Sequence, residues 1–350
     1  MSIVLHVDGD RWRDHLRRTT ASTPGIVPVV KGNGYGLGLP RLLAESAHLV
    51  GEGQVRQVAV GTYAEIPLAL SAHPGDVLVM EPYRAAVPPL PGVPEVDFAD
   101  PRLIHTVTRA TDAEHLTQRA GRVRVVVEGL TSMNRFGVPL EQVARLRADL
   151  AALPLDVEAM TLHLPLGHGH LDEVSHWVEA VDVPTWYVSH LGPSELATLR
   201  SRHPGREFRP RVGTALWLGD PGALTVRAHV LDVRPAAKGD HAGYRQRPLR
   251  PGSLLVVSGG TAHGIALEAP SAASTLRQRA IVVAEGVLQA AHRVRSPFSV
   301  DGRPTWFAEP PHMQVSLLSL PAGVRPPAIG DELSVRVRHT TLLADAVVVS

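Results

Sequence analysis

The chain has 350 residues, with 35 lysine plus arginine against 34 aspartate plus glutamate, 44% hydrophobic residues and no cysteine. This length predicts roughly two domains, and the near-neutral charge removes the electrostatic argument for binding nucleic acid or an anionic membrane. The absence of cysteine excludes disulfides, a thiolate nucleophile, zinc-thiolate sites and iron-sulfur clusters. The amino-terminal segment lacks a signal-peptide pattern, and no apolar run approaches the ~20 residues that span a bilayer. We therefore expect a soluble, cytoplasmic protein.

Short apolar runs alternate with segments of helical period through the first two thirds of the chain. This alternation is typical of βα units around a parallel sheet, and eight runs favour a TIM-type (β/α)8 barrel over an open sheet. The barrel is predicted to cover residues 1–222. Its predicted strands are residues 26–31, 58–61, 77–80, 95–98, 123–128, 157–163, 185–189 and 208–212, and the clearest predicted helices are 39–50, 139–150 and 194–202.

From about residue 223 the pattern changes to β-branched runs separated by proline and glycine. Little helical period remains, so residues 223–350 are predicted to form a second, all-β domain. Its predicted strands are residues 224–233, 253–258, 280–287, 315–320, 333–337 and 346–349. The opening strand, residues 3–7, precedes the barrel and could join this second sheet.

Lysine is scarce, because Lys31 and Lys238 are the only lysines among the 35 basic residues. A partly desolvated lysine can lose its proton and attack a carbonyl, which arginine cannot do. Lys31 ends a predicted strand, and catalytic groups collect at the carboxyl ends of barrel strands. A solvated loop lysine is the alternative. The glycines that follow lack the final spacing of a dinucleotide-binding loop.

Asparagine is equally scarce, occurring only at Asn33 and Asn134. Each lies just after a predicted strand, in the loops that contain residues 32–36 (GNGYG) and 133–137 (MNRFG). Both rare residue types thus fall on the predicted functional rim of the barrel. These two loops are where the sequence is most informative about function.

Five short blocks in order resemble the alanine racemase family: VVKGNGYG at 29–36, SMNRFG at 132–137, MTLH at 160–163, RPRVGT at 209–214 and AGY at 242–244. The resemblance implies a barrel followed by a β domain, pyridoxal 5'-phosphate as cofactor, an amino-acid substrate and a head-to-tail homodimer. It implies an isomerase that interconverts L- and D-amino acids.

The resemblance also implies a role for each matched residue. Lys31 would bind the cofactor covalently and act as one acid/base, and Tyr244 of the partner subunit would act on the opposite face of the substrate. Arg211 would donate to the pyridine nitrogen, and His163 would bridge Arg211 and Tyr244. The phosphate would be held by Tyr35, by Ser189 or His190, and by the backbone of Gly213 and Thr214. Arg135 would face the substrate carboxylate or the cofactor's phenolic oxygen, and Met313 would contact the substrate. Alternatively, His163 is an ordinary strand-end histidine and Tyr244 an exposed turn residue.

Several positions depart from the family pattern. Residues 258–264 (SGGTAHG) lack the tyrosine that lines the family's substrate entrance, the chain ends at Ser350 without the family's terminal helix and its tyrosine, and residues 310–314 resemble the family's substrate-carboxylate segment only loosely. We therefore expect a more open pocket and a substrate that need not be alanine.

Glu128 lies seven residues before Arg135, where many relatives carry a carbamylated lysine. It is interpreted as a permanent anion beside Arg135, the alternative being a solvated strand-end glutamate.

Two rival functions remain open. The first is a lyase on the same cofactor, of the D-threonine aldolase or D-serine dehydratase type, which would depend on a divalent metal. The second is a non-catalytic protein that binds pyridoxal phosphate, although such proteins usually lack a β domain. A metal site would have to come from His163, His168, His170, Asp172 and His176. Their spacing fits no firm ligand template, so we predict a polar loop and no metal.

Overall fold

The computed structural model describes residues 2–88, 90–167, 169–267 and 294–350. The chain divides into two compact units. The barrel unit comprises Arg13–Gly34 and Gly38–Gly219, and the β unit comprises Met1–Trp12, Tyr35–Leu37 and Asp220–Ser350. Within the described residues, every helix is too short or too polar to cross a membrane.

The described strands are β1 (Ile3–Val7), β2 (Val27–Val30), β3 (Gln57–Val60), β4 (Asp76–Pro82), β5 (Leu103–Val107), β6 (Val123–Gly129), β7 (Leu155–Leu162), β8 (Thr185–Ser189), β9 (Glu207–Val212), β10 (Leu224–Ala236), β11 (His241–Ala242), β12 (Arg247–Pro248), β13 (Gly252–Ser258), β14 (Arg295–Val300), β15 (Arg303–Phe307), β16 (Val315–Pro321), β17 (Glu332–Val335) and β18 (Ala346–Val349). The helices are α1 (Gly9–Ser22), α2 (Leu39–Gly51), α3 (Ile66–Ala72), α4 (Ala110–Ala120), α5 (Val143–Ala151), α6 (Leu171–Ala180), α7 (Pro193–Arg202) and α8 (Thr214–Trp217).

Strands β2 to β9 are parallel, pair in chain order and close on themselves into a barrel. The predicted TIM-type barrel is therefore confirmed. Helix α2 illustrates why the helices form on its outside. A proline lies in its first turn, where the missing N–H costs no bond. Its buried residues, Leu42, Leu43, Ser46 and Leu49, recur at the three- and four-residue spacing of one helical face.

The predicted strand at residues 95–98 is wrong, because that segment is irregular and the fourth barrel strand is β5. All five residues of β5 are buried, but His105 and Thr106 interrupt its apolar pattern. Their polar atoms are satisfied internally: His105 Nε2 lies 3.1 Å from the Phe98 carbonyl, and Thr106 Oγ1 donates to the Val79 carbonyl at 2.6 Å. Buried polar side chains with partners are compatible with a core strand, which an apolar-run criterion misses.

The β unit is a predominantly antiparallel sheet in the order β13-β16-β15-β14-β17-β10-β1-β18, and β10 also pairs with β13. The predicted all-β second domain is thus confirmed. The opening strand β1 belongs to this sheet, antiparallel to β10 and parallel to β18. The sequence did not predict β14 or β15, and the predicted strand at 280–287 lies outside the described residues.

Strands β11 and β12 form a separate two-stranded ribbon within the β unit. His241 pairs with Pro248 and Ala242 with Arg247, which leaves a four-residue connection. The Gln246 N–H donates to the Gly243 carbonyl at 3.2 Å, closing a tight turn. Tyr244 occupies this turn.

Candidate active site

Side-chain alternation along the barrel strands explains which residues reach the barrel mouth. Val29, Val126, Ala159 and Tyr187 pack together inside the barrel. Because strand side chains repeat every two residues, the next inward positions toward the carboxyl ends are Lys31, Glu128, Thr161 with His163, and Ser189. Arg209 contacts the Tyr187 ring inside the barrel, so Arg211 follows the same rule. The predicted site residues of five strands therefore share one end of the barrel.

Lys31 occupies a space kept open by Gly61 and Glu65. A Cβ on Gly61 would lie 2.9 Å from the Lys31 Cβ, so only glycine leaves room for the lysine stem. The Glu65 carboxylate accepts the Gly32 N–H at 2.6 Å through Oε1 and the Gly61 N–H at 2.6 Å through Oε2. One carboxylate thus ties the loop after β2 to the loop after β3. This fixes the backbone on which Lys31 stands.

The electrostatic environment favours an uncharged Lys31 amine. Burial, followed by the positive charges of Arg135 and Arg211, lowers the pKa of Lys31, and Glu65 only partly opposes them. Desolvation and neighbouring cations are the two standard means by which proteins activate a lysine amine. A partly buried Lys31 with a lowered pKa does not fit the alternative of a solvated loop lysine.

Arg211 and Glu128 form the buried centre of the site. Arg211 is 6% exposed and donates through Nη2 to the Leu162 carbonyl at 2.8 Å, while its Nε has no hydrogen-bond partner among the described residues. Burial lowers the pKa of Arg211 to about 10, so its guanidinium remains charged near neutral pH. Its unpaired N–H is a donor available to an acceptor atom on a ligand.

Glu128 is 2% exposed, and its Oε2 also lacks a partner among the described residues. Burial raises the pKa of Glu128 although Arg211, Arg135 and Arg84 act in the opposite direction. The interpretation of Glu128 as a solvated strand-end residue is therefore wrong. Glu128 is a buried carboxyl whose pKa reflects burial opposed by three arginines.

Histidines form one side of the barrel mouth. The rings of His163 and His190 lie 5.6 Å apart, nearly perpendicular. Burial, with the charges of Arg211 and Arg135, lowers the pKa of His163 to about 3, so it is neutral at pH 7. Burial, with Arg211, His170 and Lys31, also lowers the pKa of His190. His170 is 9% exposed, and no described residue hydrogen-bonds its Nε2.

Ser189 and His190 differ in what they can offer a ligand. The Ser189 Oγ accepts the Leu164 N–H at 3.0 Å and lies 3.4 Å from His163 Nδ1, so it links the ends of β7 and β8. His190 is exposed and has a left-handed φ of 57°. Gly213 and Thr214 follow β9 directly, with Gly213 as the N-cap of α8.

Arg135 lies in an exposed turn beside Asn134, whose φ is 51°. Its charge lowers the pKa values of Lys31, His163 and Arg211. The neighbouring Ser132 anchors this turn, because its N–H and hydroxyl donate to Glu173 at 2.6 and 2.7 Å. Arg135 therefore adds positive charge at the open side of the mouth.

Tyr35, Tyr244 and Met313 belong to the β unit. Tyr35 is 6% exposed in a 3-10 turn with a φ of 56°. Tyr244 is 87% and Met313 72% exposed. Within the described part of the chain, which omits His168, no three histidine, aspartate or glutamate side chains lie close enough to hold a metal ion.

Sequence reasoning missed Glu65, although a recognisable signal was present. Thr62 and Glu65 have the Ser/Thr-x-x-Glu spacing of a capping box, and the structure forms this box at the start of the 3-10 helix Tyr63–Glu65. The same carboxylate also holds Gly32, 33 residues earlier in the chain. Local spacing predicts the cap, but not this long-range contact.

The chain's residues 7–221 match the family model described as alanine racemase, N-terminal domain. The chain belongs to the alanine racemase family. The fold agrees with this assignment over nearly the whole length of this chain and of solved alanine racemases. An alanine racemase from D-cycloserine-producing Streptomyces lavendulae shares 18% identity, with a TM-score of 0.68 over 100% of this chain and 97% of that one. No curated protein sequence gives a significant match.

Two further solved alanine racemases resemble this family member at similar levels. The Bartonella henselae enzyme, with covalently bound pyridoxal phosphate, has 16% identity and a TM-score of 0.68 over 97% of this chain and 91% of that one. The biosynthetic enzyme of Pseudomonas aeruginosa has 19% identity and a TM-score of 0.65 over the same shares.

The site of this family member has the chemistry needed for pyridoxal phosphate. The lowered lysine pKa suits covalent attachment to an aldehyde, and the surrounding arginines and histidines suit a dianionic phosphate. The unpaired Nε of buried Arg211 suits an acceptor nitrogen of an aromatic ring. These three features fit one ligand that combines an aldehyde, a phosphate and a ring nitrogen.

The raised pKa of Glu128 predicts a specific dependence of stability on pH. Above the ordinary glutamate pKa the native carboxyl holds its proton more tightly than the unfolded one, so this group costs stability as pH rises. Each unit of such a shift is worth about 1.4 kcal/mol. The free energy of unfolding of Glu128→Gln should therefore improve relative to the unsubstituted protein as pH rises from the ordinary glutamate pKa through the raised pKa of Glu128.

Urea unfolding of the cofactor-free proteins at several pH values measures this difference. Glu141→Gln removes an exposed carboxylate and corrects for the general loss of one negative charge. If Glu128→Gln instead loses relative stability as pH rises, the arginines dominate over burial and Glu128 is a firmly ionised anion.

Proposed function

We propose that this chain is a pyridoxal-phosphate-dependent amino-acid racemase that interconverts L- and D-enantiomers by proton exchange at the α-carbon. The observation that carries the proposal is the Lys31 amine, whose pKa is lowered by burial and by two arginines at the mouth of an alanine-racemase-type barrel. The only other lysine in the chain is Lys238, so a lysine at position 31 stands out from the arginines used elsewhere.

The proposed cofactor contacts follow the surroundings of each residue. Lys31 would hold the cofactor covalently, and Arg211 would donate to the ring nitrogen. Tyr35, His190, the Ser189 hydroxyl and the backbone of Gly213 and Thr214 would hold the phosphate. When bound, pyridoxal phosphate supplies an electron-withdrawing ring that makes the substrate α-proton removable.

Inversion requires one acid/base on each face of the α-carbon. Lys31 would serve one face, because its neutral amine can accept a proton and its charged form can return one. Tyr244 of the partner subunit would serve the other face. Arg211 keeps its own proton near pH 7, so a ring nitrogen that accepted its N–H would stay unprotonated, which would favour simple proton exchange over transamination. The protein would therefore act as a homodimer with two shared sites.

The substrate would be a small amino acid with its carboxylate near Arg135 and Met313. The family's entrance tyrosine has no equivalent in residues 258–264 (SGGTAHG), so the pocket would accept side chains larger than methyl. A lyase would instead release an aldehyde or ammonia, and a cofactor-binding protein without activity would leave the substrate unchanged. Both outcomes are distinguishable in one assay.

Incubation with separate L- and D-amino acids in deuterated water should produce the opposite enantiomer carrying deuterium at the α-carbon. Chiral chromatography with mass spectrometry measures inversion and exchange together. Activity should not require added metal and should survive a chelator. Aldehyde or ammonia release that depends on added divalent metal would establish the lyase alternative, and an unchanged panel would establish binding without turnover.

Mixed mutants test the shared site. Lys31→Ala and Tyr244→Phe homodimers should each lose most racemisation, because each lacks one of two acid/base groups. Subunit exchange then yields heterodimers that contain one site with both lesions and one intact site. Random pairing gives about half heterodimers, so recovered activity should approach roughly a quarter of the unsubstituted value.

Subunit exchange in this experiment is verified with two differently tagged chains. Mixing Lys31→Ala with Lys31→Arg provides the matched control, because every site then lacks the lysine amine and no activity should return. An active monomer, or a mixture that stays inactive despite proven exchange, would contradict the assignment of Tyr244 to the partner's site.

A further inference from the structure

The tip of the β11–β12 ribbon combines an exposed aromatic side chain with a tightly held backbone. Tyr244 is 87% exposed, so its phenol contributes little to the packing of the β unit. Its backbone is nevertheless fixed by the turn bond from Gln246 to Gly243, and the Gln246 side chain adds a bond of 2.9 Å to the same carbonyl. An exposed aromatic side chain on a turn whose backbone is held by hydrogen bonds indicates a role other than packing.

The backbone of this turn rests on a buried carboxylate. Glu309 is 2% exposed and accepts the N–H groups of Tyr244 at 3.2 Å and Arg245 at 3.4 Å. Burying a carboxylate is costly unless donors surround it, and two backbone donors with one side-chain donor meet this need. Gly243 is required for the approach, because a Cβ there would lie 1.8 Å from the Glu309 Cδ.

His312 completes the arrangement and contacts the phenol itself. Its Nε2 lies within hydrogen-bonding distance of the Glu309 carboxyl. Its ring lies against the Tyr244 ring, with 4.5 Å between centroids and a tilt of 42°. The backbone on both sides of this ring is anchored, because the His312 N–H donates to the Val315 carbonyl and the Thr261 N–H to the His312 carbonyl, each at 2.9 Å.

We propose that Glu309 and His312 are positioning residues that fix the orientation of the Tyr244 phenol for proton transfer. Glu309 holds the turn and orients the imidazole, and His312 supports one side of the phenol ring. The catalytic consequence rests on the proposed function, whereas the structural part concerns Tyr244 alone. In catalysis a misplacement of about 1 Å can cost roughly 100-fold in rate, so an exposed acid/base needs such support.

Nuclear magnetic resonance of ring-labelled tyrosine tests the structural part without any turnover. The chain has five tyrosines, and the signal that disappears in Tyr244→Phe belongs to Tyr244. In His312→Leu this signal should lose the ring-current shift caused by the imidazole, whereas His312→Phe should retain a ring-current shift. Glu309→Gln should also move it, because the turn and the imidazole lose their charged acceptor. His241→Leu, an exposed histidine on the same ribbon, should leave it unchanged.

Deuterium exchange with each enantiomer tests the catalytic part. Because Lys31 and Tyr244 would serve opposite faces, His312→Leu should slow α-exchange of one enantiomer roughly 100-fold and leave the other within about twofold. His312→Phe should recover a large part of the lost rate. A general loss of folding would lower both exchange rates equally and would also lower the melting temperature.

The outcomes separate the two proposals. A Tyr244 signal that does not move in His312→Leu overturns the positioning role. A shifted signal with equal loss for both enantiomers also overturns it, because the effect is then not specific to Tyr244. A shifted signal in a protein that exchanges no amino acid at all contradicts the proposed function, while the support of the phenol by Glu309 and His312 stands.

Discussion

The chemistry at the barrel mouth depends on an excess of positive over negative side-chain charge there. The positive charges of Lys31, Arg135 and Arg211 act on one another, with Glu65 opposing them at Lys31 and Glu128 at Arg211. Burial raises the pKa of Glu128, so this carboxyl ionises less readily. Bringing like charges together inside a protein is unfavourable unless a ligand or counter-ion compensates. A dianionic ligand would offset this excess of positive charge. Burial, followed by the same cations, lowers the pKa of Lys31. One group of cations would therefore favour both the binding of an anion and an uncharged lysine amine.

The parallel barrel makes this imbalance possible. Its carboxyl-terminal strand ends converge on one mouth, so residues from five strands meet although they are far apart in sequence. Below them, an apolar layer that includes Val29, Val126 and Tyr187 excludes water from the barrel interior. Glu65 and Gly61 then fix the backbone around Lys31. The folded barrel thus holds like charges close together although their interaction is unfavourable.

Sequence patterns predicted what depends on local periodicity and rare residue types. Apolar runs located seven of the eight barrel strands, and the scarcity of lysine and asparagine singled out the two loops near the mouth. The strand β5 was missed because its polar residues find partners only in the folded barrel. Glu309 was missed for a related reason: its backbone partners lie 64 and 65 residues away in the chain. Contacts of this kind leave no periodic signal.

Lys31 would be the residue that binds the cofactor covalently, and mapping the covalent adduct tests this most directly. Pyridoxal phosphate should turn the protein yellow, with absorption near ~420 nm. Borohydride reduction and peptide mapping should then locate one stable adduct, on Lys31. Lys238, exposed in a turn of the β unit, is the internal control. Lys31→Arg should prevent the adduct, whereas Lys238→Arg should preserve it. An adduct on Lys238, or no binding of the cofactor at all, would contradict the account.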